Sequence, residues 1–503
     1  MFYTIQKGGS LVNYYIGFDL GTSALKLLLV DSSGEILKTV IQGYNVHYPK
    51  PGWSEQNPGD WWQALCLGIK ELIRDVDVTK IEAIGAGGQM HGLVILDGND
   101  SVIRPAILWN DGRTDKETAY LNEVIGKDKL SQCTANIAFA GFTAPKILWV
   151  KNNEPENFAR ICKILLPKDY FNYKLTGVHC TDYSDASGML LLDVKNKCWS
   201  KEMLNICSIS ESQMPKLFES YETVGTLLPE IAKELGLPAT VKVVAGAGDN
   251  AAAAIGTGTV ENGKCNISLG TSGTVFISSD TFAVDEQNAL HSFCHANGKH
   301  HLMACILSAA SCNKWFCEEI LRTDNYAGEQ SAISQDTLGK NDVYFLPYLM
   351  GERSPINDTD ARGMFVGLRM DTTRADIVQA VLEGVAFAIR DNVEIARKQG
   401  VVISTSTLCG GGAKSHLWQT ILCNVLNVEI SIPKTEQGPG YGAVMLAMVA
   451  AGEWENVAAC AENLVKIKST VTPQSDLVAR YENRYKRFKE IYPAVKELYK
   501  KLK

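Results

Sequence analysis

The sequence predicts an α/β protein made of two related halves, each with a sheet and packed helices. The tetrapeptide Leu-Gly-Thr-Ser occurs twice, at residues 20–23 and 269–272, about half a chain apart. Strand-like and helix-like segments alternate on both sides of the midpoint, which is typical of α/β layering. A chain of 503 residues is also too long for one hydrophobic core and should divide into two or more domains.

Each copy of the tetrapeptide lies between two short apolar runs, a pattern that predicts a β-hairpin with a small polar tip. Residues 15–19 and 26–30 flank the first copy, and residues 266–268 and 274–277 flank the second. Glycine lets a backbone approach phosphates closely, and hydroxyl and N–H groups donate to them. One copy alone is most simply an ordinary glycine hairpin, but two copies indicate a polyphosphate gripped from both sides.

Further elements of the first half follow the same logic. Residues 36–40 form a predicted third strand after a turn, and a helix is predicted from Trp61 to about Arg74. Residues 81–85 are a predicted buried strand that ends in a glycine-rich loop at 85–92. The first half is therefore expected to be one layered domain.

The second half repeats this plan. Residues 243–247 and 407–409 are predicted strands, and each ends in a glycine-containing turn. Long helical patterns cover residues 374–398 and 441–451, and a further helix is predicted to start at Ser415.

The domain division predicted from these patterns has three parts. An N-terminal domain covers residues 14–250, a C-terminal domain covers 251–480, and a helical tail covers 481–503. No low-complexity linker marks the boundary near 250–260, so we expect closely packed halves with a cleft between them. The sequence leaves any role of residues 1–13 open.

Composition and charge exclude several classes of protein. Hydrophobic residues make up 46% and charged residues 21%, as in an ordinary globular protein, and the net charge of −7 argues against a general nucleic-acid binder. Residues 486–503 are locally basic, with seven Lys or Arg against two Glu, and are best interpreted as the solvated face of a terminal helix. No apolar run is long enough to span a membrane, and residues 1–13 lack signal-peptide features.

The 14 cysteines are scattered, without any C-x-x-C spacing, so neither a zinc site nor a thioredoxin-type motif is supported. Several lie inside apolar periodic segments, where a free cysteine behaves as a small hydrophobe; these are Cys66, Cys305, Cys409 and Cys423. We therefore expect free thiols and a reducing, cytoplasmic compartment.

Asp19 is the first candidate for chemistry. It ends a buried strand directly before the tip that holds Thr22 and Ser23, with Lys26 on the following strand. A carboxylate beside phosphates requires a cation between them, so Mg²⁺ is implied, bound directly or through water. The alternative is an aspartate that only caps the turn.

Two glycine-rich sites in the second half are candidates for binding a nucleotide. Gly270 and Thr271 form the matching hairpin tip, with Ser272. Gly411 and Gly412 lie where a strand passes into a helix, a junction that offers backbone N–H groups and a bare surface to a phosphate or an adenosine. A tight turn without a ligand is the competing interpretation of the second site.

Asp249 is the candidate base. It follows a buried strand in Gly248-Asp249-Asn250, near the predicted boundary of the two halves. A positioned carboxylate that accepts a proton late in phosphoryl transfer contributes roughly 10²–10⁴-fold in rate. A helix N-cap is an equally good local interpretation of this aspartate.

Residues 87–92 place Met90 and His91 on a glycine-rich loop after a buried strand. Such a loop suits hydrogen bonding to the hydroxyls of a small sugar. An isolated histidine is more often structural, so this interpretation depends on the other motifs.

Together these residues resemble the FGGY family of carbohydrate kinases, within the actin/hexokinase/Hsp70-like ATPase superfamily. The resemblance runs from about Tyr15 to Gly452. The stretches that carry it are residues 16–23, 88–92, 107–113, 166–170, 248–250, 268–273 and 345–355.

The resemblance implies two ribonuclease-H-like domains with a cleft, and it implies roles for the candidate residues. Asp249 would be the base, and Met90, His91, Asp249 and Asn250 would bind the sugar. Asp19 would act near Mg²⁺ and the phosphates, while Thr22, Ser23, Lys26, Gly270 and Thr271 would surround the β- and γ-phosphates of ATP. Gly411 and Gly412 would lie along the adenosine. The adenine contacts stay open among Lys414, Ser415 and His416.

The Gln-Met-His-Gly stretch at residues 89–92 favours D-xylulose as the sugar, phosphorylated at its C5 hydroxyl. Another sugar or polyol (ribulose, gluconate, glycerol or fuculose) is the main alternative. A chaperone-like or cytoskeletal ATPase and a catalytically silent sugar sensor are weaker ones, because neither an appended domain nor a helix-turn-helix segment is visible. Related kinases are often dimers, so a homodimer is one expected assembly. No nucleic-acid or membrane partner is expected.

Overall fold

Both predicted hairpins form, and each lies inside its own β-sheet in the computed structural model, which describes residues 12–435 and 437–501. The strands, in chain order, are β1 (Tyr14–Leu20), β2 (Ala24–Asp31), β3 (Ile36–Gly43), β4 (Glu55–Gln56), β5 (Ile81–Gly88), β6 (Val94–Leu96), β7 (Ala106–Ile107), β8 (Lys163–Leu165), β9 (Cys180–Asp182), β10 (Leu192–Asp193), β11 (Cys198–Trp199), β12 (Lys216–Phe218), β13 (Thr223–Thr226), β14 (Lys242–Val244), β15 (Ala247–Gly248), β16 (Cys265–Leu269), β17 (Gly273–Ser279), β18 (His291–Cys294), β19 (His300–Ile306), β20 (Tyr344–Leu346), β21 (Met364–Val366), β22 (Thr405–Cys409), β23 (Glu429–Pro433) and β24 (Ile467–Val471).

Helices alternate with these strands. They are α1 (Pro58–Leu72), α2 (Asp115–Ala119), α3 (Lys127–Thr134), α4 (Thr143–Asn153), α5 (Pro155–Ala159), α6 (Pro167–Thr176), α7 (Tyr183–Ala186), α8 (Lys201–Cys207), α9 (Pro229–Leu235), α10 (Asp249–Gly256), α11 (Ala310–Trp315), α12 (Tyr326–Ser331), α13 (Arg374–Lys398), α14 (His416–Leu426), α15 (Gly438–Ala451), α16 (Val457–Leu464) and α17 (Ser475–Tyr499). Short 3₁₀ turns span Val78–Lys80, Ser187–Met189, Glu211–Gln213, Gln335–Thr337 and Gly411–Lys414, and π turns span Tyr120–Gly126 and Phe316–Ile320.

Contacts divide the chain into two units. Unit 1 comprises residues 12–256, 294–298 and 437–464, and unit 2 comprises residues 257–293, 299–435 and 465–501. The later return of the chain to unit 1 at residues 437–464 is not anticipated in the predicted division at residue 250. Residues 1–11 and 502–503 lie outside the described residues. They include most of the N-terminal extension and Lys503 at the end of the basic segment.

The two main sheets share one plan. In unit 1 the order is β13-β14-β5-β1-β2-β3, with β15 also paired to β5. In unit 2 the order is β18-β19-β17-β16-β22-β23-β24. Each sheet therefore has a central antiparallel hairpin, a third antiparallel strand on one side (β3 or β19) and parallel strands on the other (β5 and β14, or β22 and β23). This repeated order confirms the predicted architecture of two α/β domains.

Helix α15 packs against the sheet of unit 1 through glycines, because its backbone approaches β1, β5 and α10 very closely. A Cβ atom built on Gly85 would lie 2.0 Å from the Ala443 carbonyl oxygen, and one built on Gly442 would lie 1.9 Å from the Ala252 carbonyl oxygen. Side chains larger than hydrogen do not fit at these positions. This contact draws residues 437–464 into unit 1.

Two strands differ from the prediction, one in its end and one in its continuity. Strand β5 continues to Gly88, beyond the predicted end at residue 85. The predicted strand 243–247 is broken, because Gly246 has a φ of 75° and separates β14 from β15. A Cβ atom on Gly246 would lie 2.2 Å from the Ala86 carbonyl oxygen, so the break also allows close packing against β5.

The predicted helix at 374–398 is confirmed with the same bounds, as α13. The predicted tail helix begins earlier, at Ser475, because Leu477, Tyr481 and Phe488 are buried in the core of unit 2. The basic side chains of residues 486–501 are exposed, which confirms a solvated face there, whereas Arg484, earlier on the same helix, is buried.

All cysteines named for the hydrophobic interpretation are free thiols; Cys66 and Cys423 are buried, and Cys305 and Cys409 are half-buried. Within residues 12–435 and 437–501, no helix combines the length and apolarity needed to cross a bilayer.

We predict that Gly442→Ala lowers the free energy of unfolding by about 1–3 kcal/mol, because the new methyl group forces α10 and α15 apart. Denaturant unfolding measures this change. Gly43→Ala is the matched control, since the nearest atom to its Cβ would be 4.0 Å away. Equal effects of the two substitutions would contradict the close-packing argument.

Candidate functional site

In unit 1, the two candidate carboxylates lie at the same end of the sheet, Asp19 on β1 and Asp249 directly after β15, with β5 between these strands. Asp19 is near the end of β1, where its backbone pairs with Lys26 on β2 and with Gly87 on β5. Burial raises the pKa of the Asp19 carboxyl to about 6, and the positive charge of Lys26 partly opposes this shift. The carboxyl and the lysine are therefore close enough to interact.

Asp249 is the first residue of α10, directly after β15. Its Oδ1 accepts hydrogen bonds from the backbone N–H of Asn250 at 2.7 Å and from the Asn250 side-chain amide at 3.1 Å. Burial raises the pKa of Asp249 to about 7, and the charge of Asp19 adds to the rise. Asp249 is thus the first residue of the helix rather than the N-cap residue that flanks it, and its raised pKa lets the carboxyl hold a proton better than an ordinary aspartate does.

Met90 and His91 lie on the loop that follows β5, beside Asp249. The Asn250 side-chain amide contacts the Met90 sulfur at 3.9 Å. A Cβ atom on Gly248 would lie 2.9 Å from Met90 Cγ, so the loop packs directly on the residue before Asp249. The structure therefore brings together the predicted base, Asn250, Met90 and the adjoining His91.

The ring and backbone of His91 are both fixed. His91 has a φ of 69°, in the left-handed region that few residues with side chains adopt. Its Nδ1 lies 2.7 Å from the Gly188 carbonyl oxygen, and its ring stacks on Phe142 with centroids 4.7 Å apart. Because a carbonyl only accepts, Nδ1 carries the hydrogen, and Nε2 of the neutral ring is an acceptor.

Lys146 on α4 holds the same loop by its backbone. Its Nζ donates to the carbonyl oxygens of His91 at 2.9 Å and Gly141 at 2.6 Å, and Thr143 Oγ1 also donates to His91 at 3.1 Å. Burial lowers the pKa of Lys146 to about 7, although the charge of Asp111 opposes the shift.

A buried charge cluster supports the segment before Asp249. Lys168 Nζ lies 2.7 Å from Asp169, 2.9 Å from Asp182 and 3.6 Å from Asp185. Asp182 accepts hydrogen bonds from the N–H and hydroxyl of Ser184, and the Ser184 hydroxyl in turn accepts from the Gly248 N–H at 3.2 Å.

Burial raises the pKa values of Asp169 and Asp185, against the pull of the lysine.

The tip of the first hairpin carries the predicted phosphate-binding groups. Ser23 is exposed and Thr22 is half-buried. Tyr44 supports the tip by donating from its hydroxyl to the Gly21 carbonyl oxygen at 2.5 Å and from its N–H to the Ser23 carbonyl oxygen at 3.3 Å. Helix α15 also begins nearby, since a Cβ atom on Gly440 would lie 3.9 Å from Asp19 Cβ.

In unit 2, the predicted nucleotide-binding residues line one cavity of about 680 Å³. This volume is in the range of small-molecule pockets. The lining residues are Leu269, Gly270, Thr271, Ala310, Ser311, Asn313, Lys314, Tyr326, Ala327, Gln330, Gly411, Gly412, Lys414, Ser415 and Trp418. The hairpin tip and the glycine run therefore meet, and Lys414 and Ser415, but not His416, face this cavity.

The three glycines at residues 410–412 differ in their backbone conformation and packing. Gly410 has a φ of 88° and packs on Leu269, and Gly412 is buried against Leu269 and Trp418. A Cβ atom on Gly411 would meet no atom within 4 Å. Gly411 thus leaves bare backbone open toward the cavity, as expected for a surface against which a flat ligand lies.

Segment 307–311 supports the second hairpin tip. Ala309 and Ala310 donate their N–H groups to the carbonyl oxygens of Thr271 and Gly270, both at 2.9 Å. The buried Glu352 anchors the start of this segment, because its Oε1 accepts from the Leu307 N–H at 2.8 Å. Burial raises the pKa of Glu352 to about 8.

The two carboxylates of unit 1 could bind a hard cation such as Mg²⁺ only together with further ligands. Asp19 and Asp249 supply carboxylate oxygens, the ligands that Mg²⁺ prefers, and the proximity of their charges favours a cation. Among the described residues, no group of three or more His, Cys, Asp or Glu side chains could hold a metal ion. Phosphate oxygens and water would therefore complete the coordination.

Sequence reasoning missed the side chains that position these groups. Lys146, Lys168, Gln56, Gln89 and Glu352 are buried and polar, and all five contact residues that are distant in the sequence. Their only local signal is a polar residue inside an apolar or glycine-rich stretch.

Comparison with known proteins gives a match to two family models. The model for the N-terminal domain of the FGGY family of carbohydrate kinases matches residues 14–256, and the model for the C-terminal domain matches residues 265–451.

Similar proteins of known sequence or structure cover almost the whole chain. A xylulose kinase of Escherichia coli (strain K12) is 41% identical over 95% of this chain and 98% of its own length. A xylulose kinase of Bacillus subtilis (strain 168) is 37% identical over 98% and 99%. A crystal structure titled as a xyloylose kinase from Brucella ovis is 40% identical, covers 97% of this chain and 100% of its own, and has a TM-score of 0.92. The chain therefore belongs to the FGGY family of carbohydrate kinases.

Proposed function

We propose that the chain transfers the γ-phosphoryl group of ATP to the C5 hydroxyl of D-xylulose, giving D-xylulose 5-phosphate and ADP. The observation that carries this proposal is the contact of the Asp249–Asn250 pair with the Met90–His91 loop in unit 1. The proposed base, Asp249, therefore lies next to the groups proposed to bind the sugar hydroxyls. The xylulose kinases among the relatives, 41% and 37% identical, support D-xylulose as the sugar.

Asp249 takes the proton of the C5 hydroxyl as that oxygen forms its bond to the γ-phosphorus. The bond from the γ-phosphorus to the bridging oxygen breaks, and ADP leaves with the electron pair. A carboxyl with a pKa of about 7 holds that proton better than an ordinary aspartate. His91 Nε2 accepts a hydrogen bond from a second hydroxyl, and Met90 and Asn250 contact the sugar beside it.

The cavity of unit 2 binds ATP, with adenosine against Gly411 and Gly412 and the phosphates toward Gly270 and Thr271. In unit 1, Ser23, Lys26 and the backbone of Thr22 act on the β- and γ-phosphates. Asp19 binds Mg²⁺, most simply through water. The cation would neutralise charge that develops on the phosphoryl oxygens.

We also propose a cytoplasmic location, supported by the free thiols of the described residues. A homodimer stays a prediction of the family resemblance.

The experiment that tests the proposed function measures ADP release from the purified protein with Mg-ATP and a panel of sugars. The panel contains D-xylulose, ribulose, gluconate, glycerol and fuculose. A clear preference for D-xylulose supports the proposal. Preference for another sugar would keep the reaction and overturn the sugar assignment, and ATP hydrolysis that is independent of sugar would contradict a sugar kinase.

We predict that Asp249→Asn lowers kcat by at least about 10²–10⁴-fold, because an amide cannot take the proton. D-xylulose binding, measured by calorimetry without nucleotide, should change far less. Asp115→Asn is the matched control, since Asp115 is also the first residue of a helix and is exposed. Near-normal turnover of the Asp249 variant would refute its role as base.

We predict that Lys146→Met raises the KM for D-xylulose about 10-fold or more, with a smaller change in the KM for ATP. The substitution removes two hydrogen bonds that hold the backbone of His91 and Gly141, each worth about 0.5–3 kcal/mol. Lys151→Met, on the same helix but with its Nζ on Ser208, is the control. An unchanged KM for the sugar would show that Lys146 does not support sugar binding by the loop of residues 89–92, which we call the sugar loop.

A further inference from the structure

A chain of hydrogen bonds joins the first hairpin tip to the sugar loop inside unit 1. Trp61 Nε1 and Gln89 Nε2 both donate to Gln56 Oε1, each at 3.1 Å. Thr22 Oγ1 donates to Gln89 Oε1 at 3.3 Å, and Trp109 Nε1 donates to Thr22 Oγ1 at 3.0 Å. We call these five side chains the glutamine relay.

The direction of every bond in the glutamine relay is fixed by its two ends. An indole N–H can only donate, so Gln56 must turn its oxygen toward Trp61. Gln89 must then turn its amide nitrogen toward that oxygen and its own oxygen toward Thr22. The Thr22 hydroxyl consequently gives its only hydrogen to Gln89 and accepts from the indole of Trp109.

Burial makes this arrangement expensive to disturb. Gln56 is 1% exposed and Gln89 is 3% exposed, so neither amide can exchange its partners for bulk water. Gln56 Nε2 is also engaged, since it donates to the carbonyl oxygens of Thr22 at 2.7 Å and Asn45 at 3.3 Å. The backbone adds a further link, from the Gln89 N–H to the Leu20 carbonyl oxygen at 2.8 Å.

We propose that Gln56 and Gln89 are positioning residues that turn the hydrogen of the Thr22 hydroxyl into the protein, so that this hydroxyl meets its ligand as an acceptor. This inference rests on the proposed function. Phosphate oxygens require donors, so the tip binds phosphate through other groups, such as its backbone N–H groups. The Thr22 oxygen instead suits an O–H donor, which is either a sugar hydroxyl or a water molecule on the cation.

A double-mutant cycle tests whether Gln89 acts through Thr22. Thr22→Val and Gln89→Met should each lower kcat/KM on the order of 10-fold. The double variant should be within about 2-fold of Thr22→Val alone, because the valine has already removed the group that Gln89 orients. Multiplication of the two effects, to roughly 100-fold, would overturn the proposal.

Two further variants separate positioning from a general loss of packing. Thr22→Ser keeps the hydroxyl and should lower kcat/KM less than Thr22→Val does. Gln379→Met is the matched control, because Gln379 is also 1% exposed but hydrogen-bonds to Thr337 and Glu383 in unit 2. Its effect should multiply with that of Thr22→Val. If Gln89→Met does not fold, Gln89→Leu takes its place in the cycle with the same expected result.

The identity of the O–H donor follows from Thr22→Val. A raised KM for D-xylulose identifies a sugar hydroxyl, whereas a raised Mg²⁺ concentration for half-maximal rate identifies a cation-bound water. A change confined to the KM for ATP at saturating Mg²⁺ would mean that Thr22 donates to phosphate, and this would overturn the proposal.

A spectroscopic readout does not depend on kinase activity. In protein labelled with ¹⁵N-tryptophan, Trp109→Phe identifies the indole N–H signal of Trp109. That signal should shift in ligand-free Thr22→Val and Gln89→Met and stay in place in Gln379→Met. If the Trp109 signal does not move in Gln89→Met, the relay itself is overturned. If the signal moves but the wild-type protein phosphorylates no sugar, the proposed function fails and the relay stands.

Discussion

The proximity of two carboxyls in unit 1 is the constraint on which the site depends. Asp19, on β1, and Asp249, directly after β15, lie at the same end of one sheet, on either side of β5. Burial raises the pKa of Asp249, and the charge of Asp19 adds to this rise. Like charges in a poorly solvated place disfavour double ionisation. A proton or a cation between the two acids would relieve this repulsion, and the proposed base and the proposed Mg²⁺ site both rest on this property.

The surroundings of the carboxyls keep that geometry rigid. Lys146 holds the loop of His91 by its backbone, and the Lys168 cluster reaches Gly248 through Asp182 and Ser184. These contacts tie the His91 loop and the strand before Asp249 to buried side chains elsewhere in unit 1. The close contact of α15 with β1 and β5 fixes the strands from which Asp19 and the sugar loop project.

Much of the fold and of the site could be predicted from the sequence because the evidence is local. The duplicated tetrapeptide predicts both hairpins, and the helical period over residues 374–398 predicts α13 with the same bounds. The sugar loop and Asp249 follow from glycine-rich turns after strands. The partners of these groups could not be predicted in this way: Gln56 contacts Thr22 across 34 positions, and residues 437–464 join unit 1 through glycine contacts that only the tertiary structure reveals.

The pH dependence of kcat/KM for D-xylulose, compared between wild type and Asp19→Asn, tests the coupling of the two carboxyls most directly. Because the base must be deprotonated, kcat/KM should rise with pH through about 7 in the wild type. Removing the neighbouring negative charge should lower the pKa of Asp249, so the rise should move to lower pH in Asp19→Asn. A wild-type rise centred near the ordinary aspartate pKa of about 4, or an unshifted rise in the variant, would contradict the account.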